Sequence, residues 1–570
     1  MATQLTHQKP MHSDPGRGRR DSSSLSIGQY LIRRLIDYGI RDCFGIPGDY
    51  VLAFYSELER SPINVIGCTR EDCAGFAADG YARLNGMGAV CVTYCVGGLS
   101  VCNSVAGAYA EKSPVVVISG APGISERNKG TLLHHQVRDY RTQLSVFENF
   151  TVASTELIDP MTAFLEIDRV LDACDRFKRP VYIELPRDMV GVIPPVTHPY
   201  RGWPVPPSSQ ATTEAIQEAV SKINAAKQPV IIAGVEIHRF GLQDQLVAFA
   251  EESGIPIAAT ILGKSVISER HPLYIGLYEG EMGNPEVTEY VEQSDLILML
   301  GTFLTDINLG IFSANLDPFK CVYATSEQLR ISHHHYHDVP LPDFLAGLRT
   351  SKPVAAPRII PESITKRQHR NIHVELQPEA PLRTSRMMSI LNQHLDENTI
   401  VIADVGDALF AATELLIHDR GEFLSPAYYT SMGFSIPAAL GAATARPDHR
   451  IVVIVGDGAF QMTGQELSSL IRLNHSPVVI VLDNHGYGTE RFLHAGTWKY
   501  NEIQPWNHVK LLEAYGGGVG VSVSSELAFD TALREALADT KNTHLIQAKL
   551  VEGDASETLL KLAARMKKTV

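Results

Sequence analysis

An α/β fold made of three doubly wound parallel-sheet domains is what the amino-acid sequence predicts, and three observations carry that expectation. Short aliphatic runs ending in Gly, Asp or Asn alternate with longer amphipathic stretches, the rhythm of buried parallel strands joined by helices. The 570 residues, 44% hydrophobic and 20% charged, exceed what a single core holds, so several domains are expected. Clusters of proline interrupt the alternation in two places, and proline marks connectors.

Taken in order, Met1 to Ser24 is rich in Ser, Gly, Pro and Arg and carries no apolar segment. It reads as a disordered tail, with an organelle transit peptide as the alternative, against which Asp14 and Asp21 count. A first group of runs, including Val115 to Ser119 and Val181 to Leu185, places a domain at 25–190. Pro194, Pro195, Pro199, Pro204, Pro206 and Pro207 then form a stiff connector. The second group, with Val230 to Gly234 and Leu296 to Gly301, places a domain at 208–350. Its first strand leads into Val235-Glu236 without a G-x-G-x-x-G, which speaks against a nucleotide there. Pro353, Pro357, Pro361, Pro378 and Pro381 mark the next break. Ile400 to Val405, Ile451 to Gly456 and Val478 to Asp483 build a third domain at 383–555, and 556–570 is a terminal helix or tail. The first and third groups share a rhythm, as two related sheets serving one site would.

Composition narrows the function. Fifty Lys and Arg stand against 64 Asp and Glu, a net charge of −14, which repels phosphate backbones and makes nucleic acid an unexpected partner. Apolar runs stop well short of the ~18 residues a membrane span needs. Eight cysteines, with no C-x-x-C pair among Cys68, Cys73, Cys91, Cys95 and Cys102, read as reduced core thiols in a reducing, cytoplasmic setting. His333-His334-His335 with His337 and Asp338 reads as a solvated polar strand end rather than a metal site.

The sharpest local signal is Gly456-Asp457-Gly458, directly after an aliphatic run and before a helical pattern. Alone it is a turn. A strand that ends in such a turn and enters a helix also offers backbone N–H groups to a diphosphate. After the next strand comes Asp483-Asn484-His485-Gly486. Asp457 and Asn484, at the carboxyl ends of neighbouring strands, supply hard oxygen ligands suited to one Mg²⁺ that also binds phosphate.

Gly-Asp-Gly followed 25 residues later by Asn484 resembles the signature of the thiamine diphosphate enzymes. The chain departs from that signature in having Asp483 where an Asn is usual. The resemblance implies thiamine diphosphate and Mg²⁺ as cofactors, Asp457, Asn484 and the Gly486 carbonyl as metal ligands, and Gly458 and Ala459 at the diphosphate. Thr69-Arg70-Glu71 to Arg83 looks like the family's segment whose acid, here Glu71, bonds the aminopyrimidine ring. Read on its own, Glu71 is a helix-opening carboxylate favoured by the helix dipole. Tyr429 to Phe434 resembles the segment that props the cofactor bent, with Met432 as the prop and the Thr430 carbonyl as an acceptor. Asp407, in Asp404-Val405-Gly406-Asp407, is expected to face the diphosphate through its backbone. Because family sites lie between the first domain of one subunit and the third of another, the resemblance also implies a homodimer or homotetramer.

Substrate-side residues choose the branch. Gly45-Ile46-Pro47-Gly48-Asp49, His134-His135 and Asn484 to Glu490 resemble the pyruvate, indolepyruvate and phenylpyruvate decarboxylases. By that likeness Asp49, His134, His135 and Glu490 join Glu71 as catalytic residues in the non-oxidative decarboxylation of a 2-keto acid to an aldehyde and CO₂. Glu490, beside the substrate carboxylate, is expected to be buried with a raised pKa. Ile307, Leu409 and Thr489 suggest a pocket unlike a narrow pyruvate-only one. A carboligase of the acetolactate synthase type and a non-catalytic relative are the alternatives; intact Glu71, Asp457 and Asn484 speak against the latter.

Overall fold

The computed structural model describes residues 24–202, 210–356, 358–364, 374–419 and 421–566. The expected tail up to residue 23, and Pro204, Pro206, Pro207 and Pro357 of the connectors, lie outside the described residues. The chain divides into two compact units, residues 1–205 with 440–446, and 206–439 with 447–570.

The first unit holds one sheet, β1 (Asp42–Gly45), β2 (Asn64–Gly67), β3 (Gly88–Val92), β4 (Val115–Ala121), β5 (Ala153–Glu156) and β6 (Val181–Pro186). Its spatial order is β2-β1-β3-β4-β6-β5, every pair parallel. All seven residues of β4 are buried, as the unbroken run Val115 to Ala121 requires when helices cover both faces. Helix Ile27–Asp37 starts at a capping box between Ser26 and Gln29, which satisfies two otherwise orphaned donors. Its Leu31 and Leu35 join Phe164, Ile167 and Leu171 of helix Ala163–Phe177 in the core over β4 and β6.

Two sheets make up the second unit. The middle one comprises β7 (Pro229–Ala233), β8 (Ile257–Ala259), β9 (Tyr274–Leu277), β10 (Leu296–Leu300), β11 (Cys321–Ala324), β12 (Leu329–Ile331) and β13 (His334–Tyr336), in the order β13-β12-β11-β10-β7-β8-β9. It is parallel except at one edge, where β11, β12 and β13 run antiparallel. The histidine run supplies that polar edge, and His334 Nδ1 meets Glu218 at 2.9 Å. At the end of β7, Glu236 is fully buried and accepts from the Ser326 N–H and hydroxyl, both at 2.7 Å. A carboxylate thus fills the strand end where a nucleotide-binding sheet keeps glycine.

The third sheet consists of β14 (Thr399–Ala403), β15 (Glu422–Leu424), β16 (Arg450–Gly456), β17 (Val478–Asp483), β18 (Val519–Val523) and β19 (His544–Lys549). Its order is β15-β14-β16-β17-β19-β18, all parallel. Numbered from its own first strand this is 2-1-3-4-6-5, the order of the first sheet. Ile261 from the middle domain is buried in the core of the third. Nearby, Lys264 Nζ contacts Glu269 at 2.6 Å and donates to the Thr413 carbonyl at 3.2 Å. A helix Glu557–Met566 ends the described chain.

Candidate active site

Residues that the sequence assigns to the diphosphate and metal gather at the carboxyl ends of β14, β16 and β17. Open parallel sheets bind ligands there because strand ends and helix starts leave polar backbone unpaired. Asp457 follows β16 and is buried; one carboxylate oxygen accepts from the Gly458 N–H at 2.8 Å and the other from the Gly486 N–H at 3.1 Å. Burial pushes its carboxyl up to about 6, helped by the neighbouring Asp483 charge and opposed by the backbone donors. Asn484 Oδ1 is buried with no partner among the described residues. A buried orphan amide oxygen beside two carboxylates is a donor set suited to a hard divalent cation, so these residues fit the metal.

Glycines at this end are geometric requirements. Gly486 has φ +140°, and a Cβ there would lie 2.1 Å from the Asn501 carbonyl oxygen. At Gly458 a Cβ would lie 2.7 Å from the Tyr487 ring. Arg491 clamps the same loop, donating to the carbonyls of Asn484 at 3.1 Å, His485 at 2.5 Å and Asn501 at 3.4 Å.

Thr430 and Met432 lie on a segment held from below by a residue whose part the sequence did not reveal. Asp404, fully buried at the end of β14, accepts from the N–H groups of Val405 at 2.9 Å, Gly433 at 3.0 Å and Ser435 at 2.9 Å. Burial raises its pKa against the pull of those donors. Thr463 donates to the Gly433 carbonyl at 2.8 Å, Thr430 is left-handed with φ 56°, and Met432 is half-buried. Asp407 behaves differently: its carboxylate accepts from the Ser556 N–H at 3.1 Å and from the Ser556 hydroxyl. Its side chain is therefore committed to the start of the last helix, and burial pushes its carboxyl up to about 6. Ala459 is buried in helix Asp457–Thr463.

Two expectations are corrected. Glu490, in helix Gly488–Leu493, is exposed rather than buried, because among the described residues nothing buries any position of that helix. Leu409 is fully buried in the core of the third sheet, where helix Asp407–Ala412 packs inward, so it fills the core rather than lining an open pocket; Ile307 packs against the same core.

In the first unit, Glu71 opens helix Glu71–Asn85 and is half-buried. Asp49 lies in the turn after β1, where Gly48 is pressed so close that a Cβ would meet the Thr93 side chain at 2.5 Å. Across from it, His134 Nε2 lies 2.7 Å from Asp49 Oδ2. Buried Tyr50 organises the group. Its hydroxyl donates to the His134 carbonyl at 3.2 Å and lies 3.3 Å from His134 Nδ1, and its ring stacks on His134 at 4.7 Å and meets His135 edge-on at 5.8 Å. Arg187 Nη1 lies 3.6 Å from Asp49 Oδ2 while its other nitrogens hold Glu126.

Beneath this group runs a buried polar network. Cys95 adopts φ 50°, and its N–H donates to Gln143 Oε1 at 2.6 Å. Gln143 Nε2 donates to the Ser119 hydroxyl at 2.8 Å, to Tyr182 Oη at 2.5 Å and to Glu184 Oε2 at 3.3 Å. Burial pushes the Glu184 carboxyl up to about 8, against the pull of its hydrogen bonds and of Arg127. Tyr50, Arg187, Gln143, Asp404 and Arg491 carried no sequence signal beyond adjacency to a motif or a strand end.

Sheets of identical order with diphosphate-type strand ends in the third and an acid-opened helix in the first define a thiamine diphosphate enzyme. Family models agree: the N-terminal thiamine pyrophosphate-binding domain matches residues 25–143, the central domain 216–345 and the C-terminal binding domain 404–548. The chain is 35% identical to an indole-3-pyruvate decarboxylase of Azospirillum brasilense over 95% of its length and 99% of that protein. It is 30% identical to pyruvate decarboxylase 1 of Pisum sativum, over 96% and 94%, and 32% identical to an alpha-keto-acid decarboxylase of Mycobacterium bovis, over 95% and 97%. The chain belongs to the thiamine diphosphate-dependent 2-keto acid decarboxylases, a family of carboxy-lyases. No helix among the described residues is long and apolar enough to cross a membrane, and no disulfide joins any of the eight cysteines.

Proposed function

We propose that this protein decarboxylates an aromatic or branched 2-keto acid to the aldehyde and CO₂, with Mg²⁺ as its metal and Glu71, Asp49, His134, His135 and Glu490 as its catalytic residues. The observation that carries this reading is the 2.7 Å contact between His134 Nε2 and Asp49 Oδ2, with His135 beside them. Decarboxylation leaves an electron pair on the former carbonyl carbon, and the bound thiazolium supplies the sink for it. The chain's own work is proton management. Asp49 and His134 share a proton at Oδ2 and Nε2 and would hand it to that carbon; the aldehyde then leaves when the neighbouring hydroxyl gives up its own proton to the emptied base. His135 holds the aldehyde oxygen, and Tyr50 fixes the orientation of both rings. Asp457 Oδ, Asn484 Oδ1 and the Gly486 carbonyl hold the Mg²⁺, while Gly458, Ala459 and the Asp407 backbone face the diphosphate and Thr430 and Met432 face the ring system. Glu71 bonds the aminopyrimidine, and Glu490 reaches the substrate carboxylate once a partner subunit covers its helix.

An aromatic preference is supported by the 35% identity to an indolepyruvate enzyme. Domains at 25–190, 208–350 and 383–555, a homodimer or homotetramer and a cytoplasmic location complete the reading, the last supported by eight cysteines that no disulfide joins. Purified protein with thiamine diphosphate and Mg²⁺ would be offered pyruvate, phenylpyruvate, indolepyruvate and 2-ketoisovalerate while CO₂ and aldehyde are measured. Aldehyde from none of them overturns the function; a Glu71→Gln variant with full activity overturns the residue assignment.

A further inference from the structure

The geometry points to a second, inhibitory metal site in the first unit: Asp49, His134 and His135 form a three-ligand set for a Zn²⁺-class transition ion, distinct from the Mg²⁺ site at Asp457 and Asn484. One ligand atom from each of the three side chains lies within 4.8 Å of the others. Tetrahedral Zn²⁺ with bonds of about 2.0–2.2 Å keeps its donors roughly 3.3 Å apart. The existing 2.7 Å contact between His134 and Asp49 reaches that spacing by small side-chain rotations.

Three details favour a metal over a mere hydrogen-bonded cluster. His135 Nδ1 is buried without a partner among the described residues, a ring nitrogen whose bonding capacity an ion would satisfy. The two imidazoles stand nearly perpendicular, at 81° with centroids 4.8 Å apart, so their nitrogens approach a common point from different directions. Tyr50 Oη engages His134 at Nδ1, which leaves Nε2 for the metal, in the arrangement where the second ring nitrogen of a ligating histidine is held by a hydrogen bond. Two imidazoles and one carboxylate prefer Zn²⁺, Cu²⁺ or Ni²⁺ to Mg²⁺. The Asp49 and His134 side chains are 41% and 57% exposed, so an ion reaches them without unfolding. Arg187, 3.6 Å from Asp49, opposes the added positive charge and limits affinity.

An ion held there removes Asp49 and both imidazoles from proton delivery, so it inhibits; this consequence rests on the decarboxylase reading, whereas the binding does not. The test uses full-length protein loaded with thiamine diphosphate and millimolar Mg²⁺. It is titrated with ZnCl₂ by calorimetry and with CoCl₂ followed by its visible d–d absorption, at neutral pH. The expected result is one saturable site per chain that weakens at least tenfold in His134→Asn and in His135→Gln, tightens about tenfold in Arg187→Gln, and is unchanged in His485→Ala. That last variant controls for Asp457, Asp483 and His485, the other converging set among the described residues. Absence of saturable binding, or binding that survives both histidine substitutions or disappears with His485→Ala, overturns the site. Melting curves of each variant exclude misfolding, and the Arg187 variant tests the site by gain rather than loss. Turnover that persists with the site filled overturns the inhibition. Lack of any turnover in Mg²⁺-loaded wild type without added Zn²⁺ or Co²⁺ counts against the decarboxylase reading and not against the metal site.

Discussion

The first and third sheets share one strand order, 2-1-3-4-6-5, yet their strand ends do opposite things. In the third, buried carboxylates face inward: Asp404 and Asp457 take backbone N–H groups and stiffen the loops around them. In the first, Asp49 and His134 stand partly in solvent, and the stiffening comes from a buried hydrogen-bonded network of Gln143, Tyr182 and Glu184 below. Sheet topology therefore sets where polar strand ends gather, while the residues at those ends decide whether they are buried and backbone-bonded or open to solvent.

The largest expected effect separates the two functions of the sheets. Asp457→Ala should abolish saturable cofactor binding in a Mg²⁺-dependent fluorescence titration. Glu71→Gln, on the other sheet, should leave binding within about tenfold and lower kcat by about 10²–10⁴, the usual span for a lost proton-transfer group. Equal losses of binding in both variants would dissolve the contrast.

Next comes stability. Gln143→Leu leaves the buried Cys95 N–H without its acceptor and removes the donor shared by the Ser119 hydroxyl, Tyr182 Oη and Glu184, at a cost of about 2–3 kcal/mol, to be read from denaturant unfolding. A smaller effect is expected for the metal loop. Arg491→Gln frees the carbonyls of residues 484, 485 and 501 and should raise the Mg²⁺ concentration for half-maximal cofactor binding about tenfold, with Arg491→Lys recovering part of it, since lysine makes fewer of the three bonds.

The smallest is a pH dependence. Glu184 is raised from 4.5 to about 8 by burial. Across that window the unfolded chain has released a proton that the folded chain keeps, so stability falls as pH rises from about 5 to about 8. Glu184→Gln keeps the acceptor oxygen and removes the proton. Its melting temperature should fall less than the wild type's between pH 5 and pH 8; parallel curves would place the network's protonation elsewhere.

Much of this was legible in the sequence because buried parallel strands need continuous apolar runs: Val115 to Ala121, Ile451 to Val455 and Val478 to Leu482 announce themselves. Gly456-Asp457-Gly458 and Asn484 were legible as strand-end residues because each directly follows an apolar run, and the structure places them at the ends of β16 and β17. Tyr50 beneath His134, 84 residues away, was not legible, nor was Gln143 holding Cys95 across 48, since such pairs have no local pattern. Glu490 shows the converse error: a motif position implied burial, but burial depends on what covers the helix, and this chain leaves it exposed.

By itself, then, the sequence determined the α/β class and the rhythm shared by the first and third domains, which rest on periodicity, and its motifs resembled the family to which the chain belongs. Only the tertiary structure decided that Asp404 anchors the Met432 segment, that the Asp407 carboxylate belongs to Ser556, and that Asp49, His134 and His135 converge. Those facts depend on which distant side chains desolvate one another, and desolvation is a property of the packed chain.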